Sequence, residues 1–564
     1  TAGVQVADPT LGGTFDTPQP NMAGSNVGNL GVNQQSPPSP VQYTMAGGNV
    51  SINAGNDLIH LTRNTANVLI PDSSRQLPTN WLYRRGAVDP ITGLFAESRY
   101  GFNNPVSDVA STTWWVDFTN FFEGIGALGG GDVSLIAGRD ISNVDGAVPT
   151  NARMPGKDAL GNAIAPNANG LIELGGGDLT VRAGRNIDGG AYYVERGQGT
   201  LFAGSEIKTN NTRSPSRGIV AGFNTPDYRS AEAWLPTTLF AGSSSFDVTA
   251  RGNVLMGPVA NPSILPQGYN NTYWYKTYFT TYSTDSAISI ASLGGDVTLR
   301  KSVITSTSGQ QSSTPALNAW FDRQLVLTTT NASNAQPWLR LAEPDVALFK
   351  TVSDLMPSSL DVTAFSGGIN SVGNLTLSPS ASGGLQLIAA TSISGFQPSG
   401  VTTINGVSTK GWTATTINVS DSDPTGLPGI ASPIAYQNQL TTPNNALARF
   451  TQGTFLLAVD NRLTETGSYT GSDAVLQTKE ALHAAGLLHA ADTEPVRIYA
   501  QGGDISGFTL FSPKTTKVFA SNDIGDIAFY IQNLDEEGIS IVAAGRDIIP
   551  YNPNTASRVS SSAR

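Results

Sequence analysis

Residues 130–141 read GGDVSLIAGRDI, and the same pattern returns as GGNVSINAGNDL at 47–58 and as GGDLTVRAGRNI at 176–187. Aligned without gaps, the three copies keep apolar or small residues at their fourth, sixth, eighth and twelfth positions, whereas the residues between vary and are mostly polar. This period of two predicts a strand with one buried face. The Ala-Gly pair that follows needs little room and permits a tight corner, after which the next apolar residue begins another short strand.

A unit this small cannot bury its apolar face alone, but it can do so when stacked on copies of itself. Strand, corner and short strand, repeated along the chain, describe one coil of a parallel β-helix. Further copies or partial copies begin at residues 199, 246, 293, 360, 374, 384, 496, 526 and 538. The last copy has one extra residue before its Ala-Gly pair, which predicts a β-bulge.

The composition sets limits on the class of protein. The chain has 564 residues, only 13% of them charged, with 61 Gly and 33 Pro, as expected of a long repetitive protein with many turns. Its net charge of −11 argues against nucleic acid or an anionic membrane as a partner. The absence of Cys excludes disulfides and Cys-ligated metals. No apolar run approaches the roughly 20 residues of a membrane span.

Interruptions of the coil pattern divide the chain into segments. Thr1 and the polar end at Arg564 suggest that the chain is part of a longer precursor. The expected segments are an extended arm or linker (1–42), the first coils (43–70), an aromatic insertion (71–128), coils with a Tyr-rich excursion near 257–284 (129–309), a partly helical insertion (310–357), further coils (358–393), an insertion with a helix near 478–491 (394–494), the terminal coils (495–550) and a polar tail (551–564).

Two interruptions carry aromatic clusters. Exposed aromatic clusters usually mark binding surfaces, here for carbohydrate or for a neighbouring subunit. The first cluster can equally cover the flank of the coil stack, and the second can equally form a pair of Tyr- and Thr-rich strands. The candidate contact residues are Trp114, Trp115, Tyr273, Trp274, Tyr275 and Tyr278.

Acidic residues recur in the Gly-Gly-Asp strings of the motif, as Asp132, Asp178, Asp296 and Asp504. A row of carboxylates can bind calcium, but the calcium-binding β-roll repeat has a different spacing of Gly and Asp. An Asp at a corner normally accepts a hydrogen bond from its own turn, and we expect that role here.

Basic residues occupy the position after Ala-Gly, as Arg139, Arg185 and Arg546. We expect them to pair with acidic residues of neighbouring coils, each exposed pair contributing up to about 1 kcal/mol. His483 and His489 lie six residues apart and so would not share one face of a helix. The sequence contains no catalytic-triad, phosphate-loop or metal-site motif, so we predict no enzyme activity, catalytic residue, metal or cofactor.

The repeated pattern G-G-[DN]-[VL]-x-[LIV]-x-A-G-x-[DN]-[IL] resembles the shafts of the filamentous haemagglutinin family, large exoproteins secreted by the two-partner route. The resemblance covers about two thirds of this chain. It implies a right-handed parallel β-helix and the role of an extracellular, cell-surface adhesin or fibre. It also implies export through an outer-membrane barrel partner. The family's secretion motif is not transferred, because the nearest string here, PNANG at 166–170, is imperfect and lies mid-chain.

Two functional readings therefore stand beside each other. The first is a structural or adhesive fibre segment that self-associates or attaches to carbohydrate, to a host or to a neighbouring cell. The alternative is a β-helix protein that binds or degrades polysaccharide. An enzyme of that kind would need several carboxylates on adjacent coils that face one cleft.

Overall fold

The computed structural model describes most of the coil regions and parts of the insertions. The described residues are 47–63, 124–155, 172–209, 235–266, 281–307, 310–330, 346–404, 407–427 and 486–550, with shorter pieces at 3–5, 41–43, 67–71, 77–85, 87–88, 95–96, 111–116, 121, 459–460 and 462–463. Strands hold 51% of the residues and helices 11%, and the strands form a large parallel sheet that winds around an axis. The predicted all-β parallel β-helix is therefore confirmed.

Strands of successive coils pair in three parallel stacks, which we call A, B and C. We call this assembly of coils the shaft. Stack A consists of Val50–Ala54, Val133–Ala137, Leu179–Ala183, the end of Ala191–Ala203, the end of Thr237–Ala250, Ala287–Ser292, Ser359–Ala364, Gly384–Ala389, Val496–Ala500, Thr516–Ala520 and Ile541–Ala544. These eleven strands correspond to eleven coils.

Stack B follows each stack A strand after a short corner. It consists of Leu58–Ile59, Ile141–Ser142, Ile187–Asp188, Ile207–Lys208, Val254–Ala260, Val297–Arg300, Ile369–Val372, Ile393–Ser394, Ile505–Ser512, Ile524–Ile531 and Ile548–Ile549.

Stack C closes the coils in two runs. The first run is Ile125–Gly126, Gly146–Val148, the beginnings of Ala191–Ala203 and Thr237–Ala250, and the end of Val254–Ala260. The second run is Leu355–Met356, Leu375–Leu377 and the ends of Val407–Val419, Ile505–Ser512 and Ile524–Ile531.

The three copies of the motif lie on one another in the register in which their sequences align. Val133 pairs with Val50 on one side and with Leu179 on the other, and Ala137 pairs with Ala54 and Ala183. Because successive side chains of a strand point to opposite faces, every second residue is buried inside the coil. The core is a continuous column of these apolar side chains.

The prediction of a β-bulge in the last copy of the motif is wrong. Lys517 pairs with Ile541 and Ala520 with Ala544 in unbroken register. The extra residue is accommodated ahead of the strand, in the connection 532–540, because a turn accepts an added residue without loss of ladder hydrogen bonds.

Helices occur in the insertions. The expected partly helical insertion contains Ala316–Thr330, a 3₁₀ turn at Val346–Phe349 and Lys350–Asp354. Of the helix expected near 478–491, residues 478–485 lie outside the described residues, and 486–491 contain turns instead of helix. Leu487 has a φ of +54°, which a continuing helix does not allow.

The remaining elements are short. Leu82–Arg85, Ser111–Val116, Thr150–Pro155 and Ile172–Gly175 form an antiparallel sheet. Antiparallel pairs join Leu61–Arg63 to Leu69–Pro71, Ala87–Val88 to Phe95–Ala96, Ser302–Thr307 to Gln310–Pro315 and Phe396–Ile404 to Val407–Val419. Gly3–Gln5 and Val41–Tyr43 form a parallel pair, and 3₁₀ turns lie at Pro78–Asn80, Pro262–Ile264 and Pro424–Gly426.

Candidate functional surfaces

One of the three corners of the shaft carries no insertion. In each of the eleven coils, the corner between stacks A and B has only three or four residues, as at 138–140 and 293–296. The long connections run from stack B to stack C (60–124, 209–236, 301–354 and 395–414) or from stack C to the next stack A strand (149–178, 261–286 and 420–495). The insertions therefore begin and end at two of the three corners.

A ladder of side-chain hydrogen bonds runs along the A–B corner. The Asp57 carboxylate accepts the backbone N–H of Asp140 at 3.0 Å, and the Asp140 carboxylate accepts that of Asn186 at 3.0 Å. The same contact from one coil to the next joins Asn186 to Glu206, Asn253 to Asp296, Asp296 to Gly368, Ser392 to Asp504, Asp504 to Asp523 and Asp523 to Asp547. We call this series the corner ladder.

The expectation that the Gly-Gly-Asp residues bond to their own turns is wrong, because their carboxylates accept N–H groups of the following coil. They also do not form one row. Asp296 and Asp504 belong to the corner ladder, whereas Asp132 and Asp178 lie at the C–A corner. There Asp132 accepts the N–H of Asp178 at 2.9 Å, and Asp178 accepts that of Gln198 at 2.8 Å. In-register coils lie about 4.8 Å apart, which brings the next coil's N–H within reach of a short side chain.

The expected pairing of the motif arginines with neighbouring coils is confirmed. Arg139 binds Asp57, Arg185 binds Asp140 and Arg546 binds Asp523, each through Nε and a terminal nitrogen. The hydrogen-bonded Arg185 guanidinium lowers the pKa of Asp140 to about 2. Each ladder carboxylate of these pairs thus already has an arginine and a backbone N–H as partners. In the described part of the chain, no cluster of His, Asp and Glu could hold a metal ion.

The predicted aromatic contact residues are only partly placed. Trp114 and Trp115 lie in the strand Ser111–Val116, where Trp114 stands opposite Arg84 and Ala152 and Trp115 opposite Tyr83. Tyr273, Trp274, Tyr275 and Tyr278 lie outside the described residues. A binding role for these six residues stays a prediction.

Other aromatics of the first insertion pack onto the shaft. Trp81 is 3% exposed, its ring lies edge-on to Phe121 at 5.2 Å, and it is 5.9 Å from Tyr193 on a stack C strand. The Tyr193 hydroxyl donates to the buried Glu195 carboxylate at 2.6 Å. For Trp81 and Phe121, the alternative that these aromatics cover the flank of the coils is therefore confirmed.

A partly exposed apolar row on stack A was missed by the sequence analysis. Ile388, Tyr499 and Phe519 stand in register at outward positions of consecutive coils. The rings of Tyr499 and Phe519 are 5.3 Å apart, and Arg497 and Lys517 form the neighbouring outward row. We call the first three residues the aromatic row. Its signal in the sequence is an aromatic residue immediately before the Ala that ends the stack A strand in two consecutive coils.

A buried polar cluster joins the end of the 420–495 connection to the shaft. Lys514 Nζ lies 2.5 Å from Asp492 Oδ2 and donates to the carbonyl of Gly383 at 2.8 Å. His489 Nδ1 lies 3.6 Å from the same Oδ2, and its Nε2 lies 3.4 Å from the carbonyl of Ser420. Burial, with the positive charge of Lys514 adding to it, lowers the pKa of His489. Sequence analysis could not find this cluster, because no local pattern links residues 489–492 to Lys514, and the carbonyl groups of Gly383 and Ser420 come from distant parts of the chain.

These features define the class: a parallel β-helical repeat protein whose insertions leave its shaft at two corners. Comparisons with known proteins yield no relative, since no family model, no curated protein and no solved structure matches the chain. None of the helices in the described residues is long and apolar enough to cross a membrane.

Proposed function

We propose that this chain is a segment of a secreted bacterial cell-surface protein, in which the shaft is a stiff support and the insertions make adhesive contacts. The observation that carries the proposal is the restriction of the insertions to two corners. The inserted segments are anchored at those two corners, at heights along the shaft that the coil number fixes. Binding residues are commonly carried by loops on a rigid scaffold.

The contacts between coils account for the stiffness. Each coil is joined to the next through parallel strand pairs and a continuous apolar core, and the corner ladder adds a hydrogen bond between eight of the ten pairs of successive coils. With about 4.8 Å per coil, eleven coils give a rod about 50 Å long. A rod of this kind holds a binding segment away from the surface that anchors it.

Export and assembly complete the proposal. The motif resembles the shafts of two-partner-secreted exoproteins, so the precursor would pass through a dedicated outer-membrane barrel and act outside the cell. The end coils leave inward-facing apolar residues partly exposed, among them Ile52 and Ile548, and coils of a further shaft segment would bury them. Association into a fibre is the corresponding form of assembly.

A polysaccharide-binding role is the second candidate, and the aromatic row favours it. Tyr499 and Phe519 offer ring surfaces at the spacing of the coils, and Arg497 and Lys517 beside them supply hydrogen-bond donors. Aromatic rings next to polar groups suit the apolar faces and hydroxyls of sugars. We propose binding without bond cleavage, because three corner carboxylates, those of Asp57, Asp140 and Asp523, already have arginine and backbone partners.

Attachment of beads coated with the purified chain tests the adhesive role. The beads should attach to host cells, to bacterial cells or to one another more than albumin-coated beads do. Replacing residues 267–280, which contain the four aromatic candidates from Tyr273 to Tyr278, by a Gly-Ser linker should reduce attachment. The same replacement of 156–171 is the matched control, because that segment also lies between stacks C and A and has no aromatic residue.

The readouts separate the parts of the proposal. Circular dichroism should first show that the purified chain is folded as a β-sheet protein. If beads coated with this folded chain attach to all three surfaces no better than albumin-coated beads do, the adhesive role is contradicted. Equal loss with both replacements would contradict the role of the aromatic candidates. Electron microscopy of the same preparation should show short rods or end-to-end fibres, and compact particles without a rod shape would contradict the shaft.

A further inference from the structure

Lys514 and Asp492 meet in a site from which water is largely excluded. Their side chains are 1% and 9% exposed, and Nζ lies 2.5 Å from Oδ2. Asp492 Oδ1 accepts the backbone N–H of Glu494 at 3.0 Å. Oδ2, however, accepts no hydrogen bond of normal geometry in the described part of the chain. The amine nitrogen thus touches the carboxyl group from a direction that does not suit an N–H···O bond.

This arrangement favours condensation of the amine and the carboxyl group. Two reactants held in contact react as though present at a very high concentration. Lys514 Nζ is also held from a second side by the carbonyl of Gly383 at 2.8 Å. Burial additionally keeps away the water that would hydrolyse the product.

His489 is placed to carry the proton. Its Nδ1 lies 3.6 Å from the same Oδ2, and its side chain is 1% exposed. Because burial and the charge of Lys514 lower its pKa, His489 is neutral at neutral pH and can accept a proton from the ammonium group. It can then pass that proton to the departing oxygen.

We propose that Lys514 and Asp492 form an intramolecular isopeptide bond. The bond between Nζ and Cγ of Asp492 forms, and the bond between Cγ and Oδ2 breaks. The ammonium nitrogen loses two protons, which leave with Oδ2 as one water molecule, so that an ammonium and a carboxylate become a neutral amide. The reaction needs no oxidant, metal or co-reactant.

Such a bond would be a covalent cross-link within one coil of the shaft. Asp492 precedes the stack A strand Val496–Ala500, and Lys514 follows the strand Ile505–Ser512 of the same coil. A covalent link between them constrains the unfolded chain in the way that a disulfide does. The chain has no Cys, so this coil cannot be stapled by a disulfide. The inference does not depend on the proposed adhesive function.

The intact mass of the purified chain tests the bond. The mass should be lower than that of the sequence by one water molecule, and tryptic digestion should yield a branched peptide that joins Asp492 to Lys514. Lys514→Arg keeps the positive charge but should restore the full sequence mass. Lys301→Arg is the matched control at another buried lysine, whose Nζ donates to the carbonyl of Asp354, and should keep the lower mass.

A third variant tests the proton carrier. His489→Gln should reach the lower mass several-fold more slowly after synthesis than the unsubstituted chain. The proposal would be overturned if the folded, unsubstituted chain had the full mass of its sequence and trypsin cleaved normally after Lys514. This outcome does not depend on whether the variants fold. A mass deficit that persists in Lys514→Arg would overturn it as well, because another site would then have lost the water.

Discussion

Asp140 and Arg185 belong to consecutive coils and hold them together at the insertion-free corner. Arg185 Nε donates to the Asp140 carboxylate at 2.8 Å, and the backbone N–H of Asn186 donates to the same carboxylate at 3.0 Å. A single side chain therefore binds both the side chain and the main chain of the next coil. The backbone contact recurs between eight of the ten pairs of successive coils and makes the A–B corner a structural seam along most of the shaft.

Removing the Asp140 carboxylate should loosen the seam locally. Asp140→Ala leaves Arg185 and the Asn186 N–H without their acceptor and should destabilise the adjacent coils by about 1 kcal/mol, the range for exposed contacts. Asp140→Asn keeps an oxygen for the N–H and should cost less. Hydrogen exchange at the Asn186 amide measures the effect. Equal protection in both variants would show that the backbone contact contributes nothing.

Acid should weaken the same seam. Bound arginines lower the pKa of Asp140 to about 2 and also lower that of Asp57 and Asp523. Since the unfolded carboxyl titrates near 3.9, the contribution to stability is present above about pH 4 and is lost as the pH falls towards 2.

Melting temperatures between pH 2 and pH 5 check this acid dependence. Arg185→Gln removes the main cause of the Asp140 shift and should give a shallower decline than the unsubstituted chain. An identical decline in both proteins would exclude this pair as a source of acid sensitivity.

The partly buried Asp354 should affect the pH dependence of stability with the opposite sign. Burial raises the pKa of Asp354 to about 6, although the charge of Lys301 opposes this. A raised carboxyl pKa contributes stability at low pH that is lost as the pH rises from about 4 through 6. Melting curves at pH 4 to 7 should show this decline, and Asp354→Asn should flatten it. A decline of the same size in the variant would assign it to other groups.

A core truncation should cost more than any change at the corner. Leu201 is fully buried and pairs with Val181 and Val248 of the adjacent coils. Leu201→Ala should lower the unfolding free energy by about 2–5 kcal/mol, through lost apolar contact and the cavity left behind. Urea unfolding measures it, with Thr200→Ala on the outward face as the control. Equal effects in both variants would contradict the inward placement of Leu201.

Loss of the aromatic row should reduce polysaccharide binding without unfolding the chain. Tyr499→Ser with Phe519→Ser removes both ring surfaces and should weaken binding about tenfold or more in affinity electrophoresis, at roughly 1 kcal/mol per ring. Phe365→Ser is the control, because Phe365 is 62% exposed but lies at the A–B corner. Unchanged retention in the double variant would exclude the aromatic row as the binding surface.

The sequence by itself determined the coil. Val133, Leu135 and Ala137 are inward and buried because alternation is a local property of an extended strand. The Arg139–Asp57 contact also followed from the repeat, since in-register stacking brings one motif position next to the same region of the neighbouring copy.

Only the tertiary structure decided at which corner of the coil each Gly-Gly-Asp string lies. Asp132 and Asp296 follow the same Gly-Gly string, yet one precedes stack A and the other stack B, because a tight turn of this kind fits before either strand. The extra residue before Ile541 lies in a turn and not in a β-bulge, because an added residue disrupts strand pairing more than it disrupts a turn. The cluster of His489, Asp492 and Lys514 forms at one coil and is completed by the carbonyl groups of Gly383 and Ser420 from the preceding coil. No local pattern encodes that meeting, because the winding of the whole shaft brings those groups together.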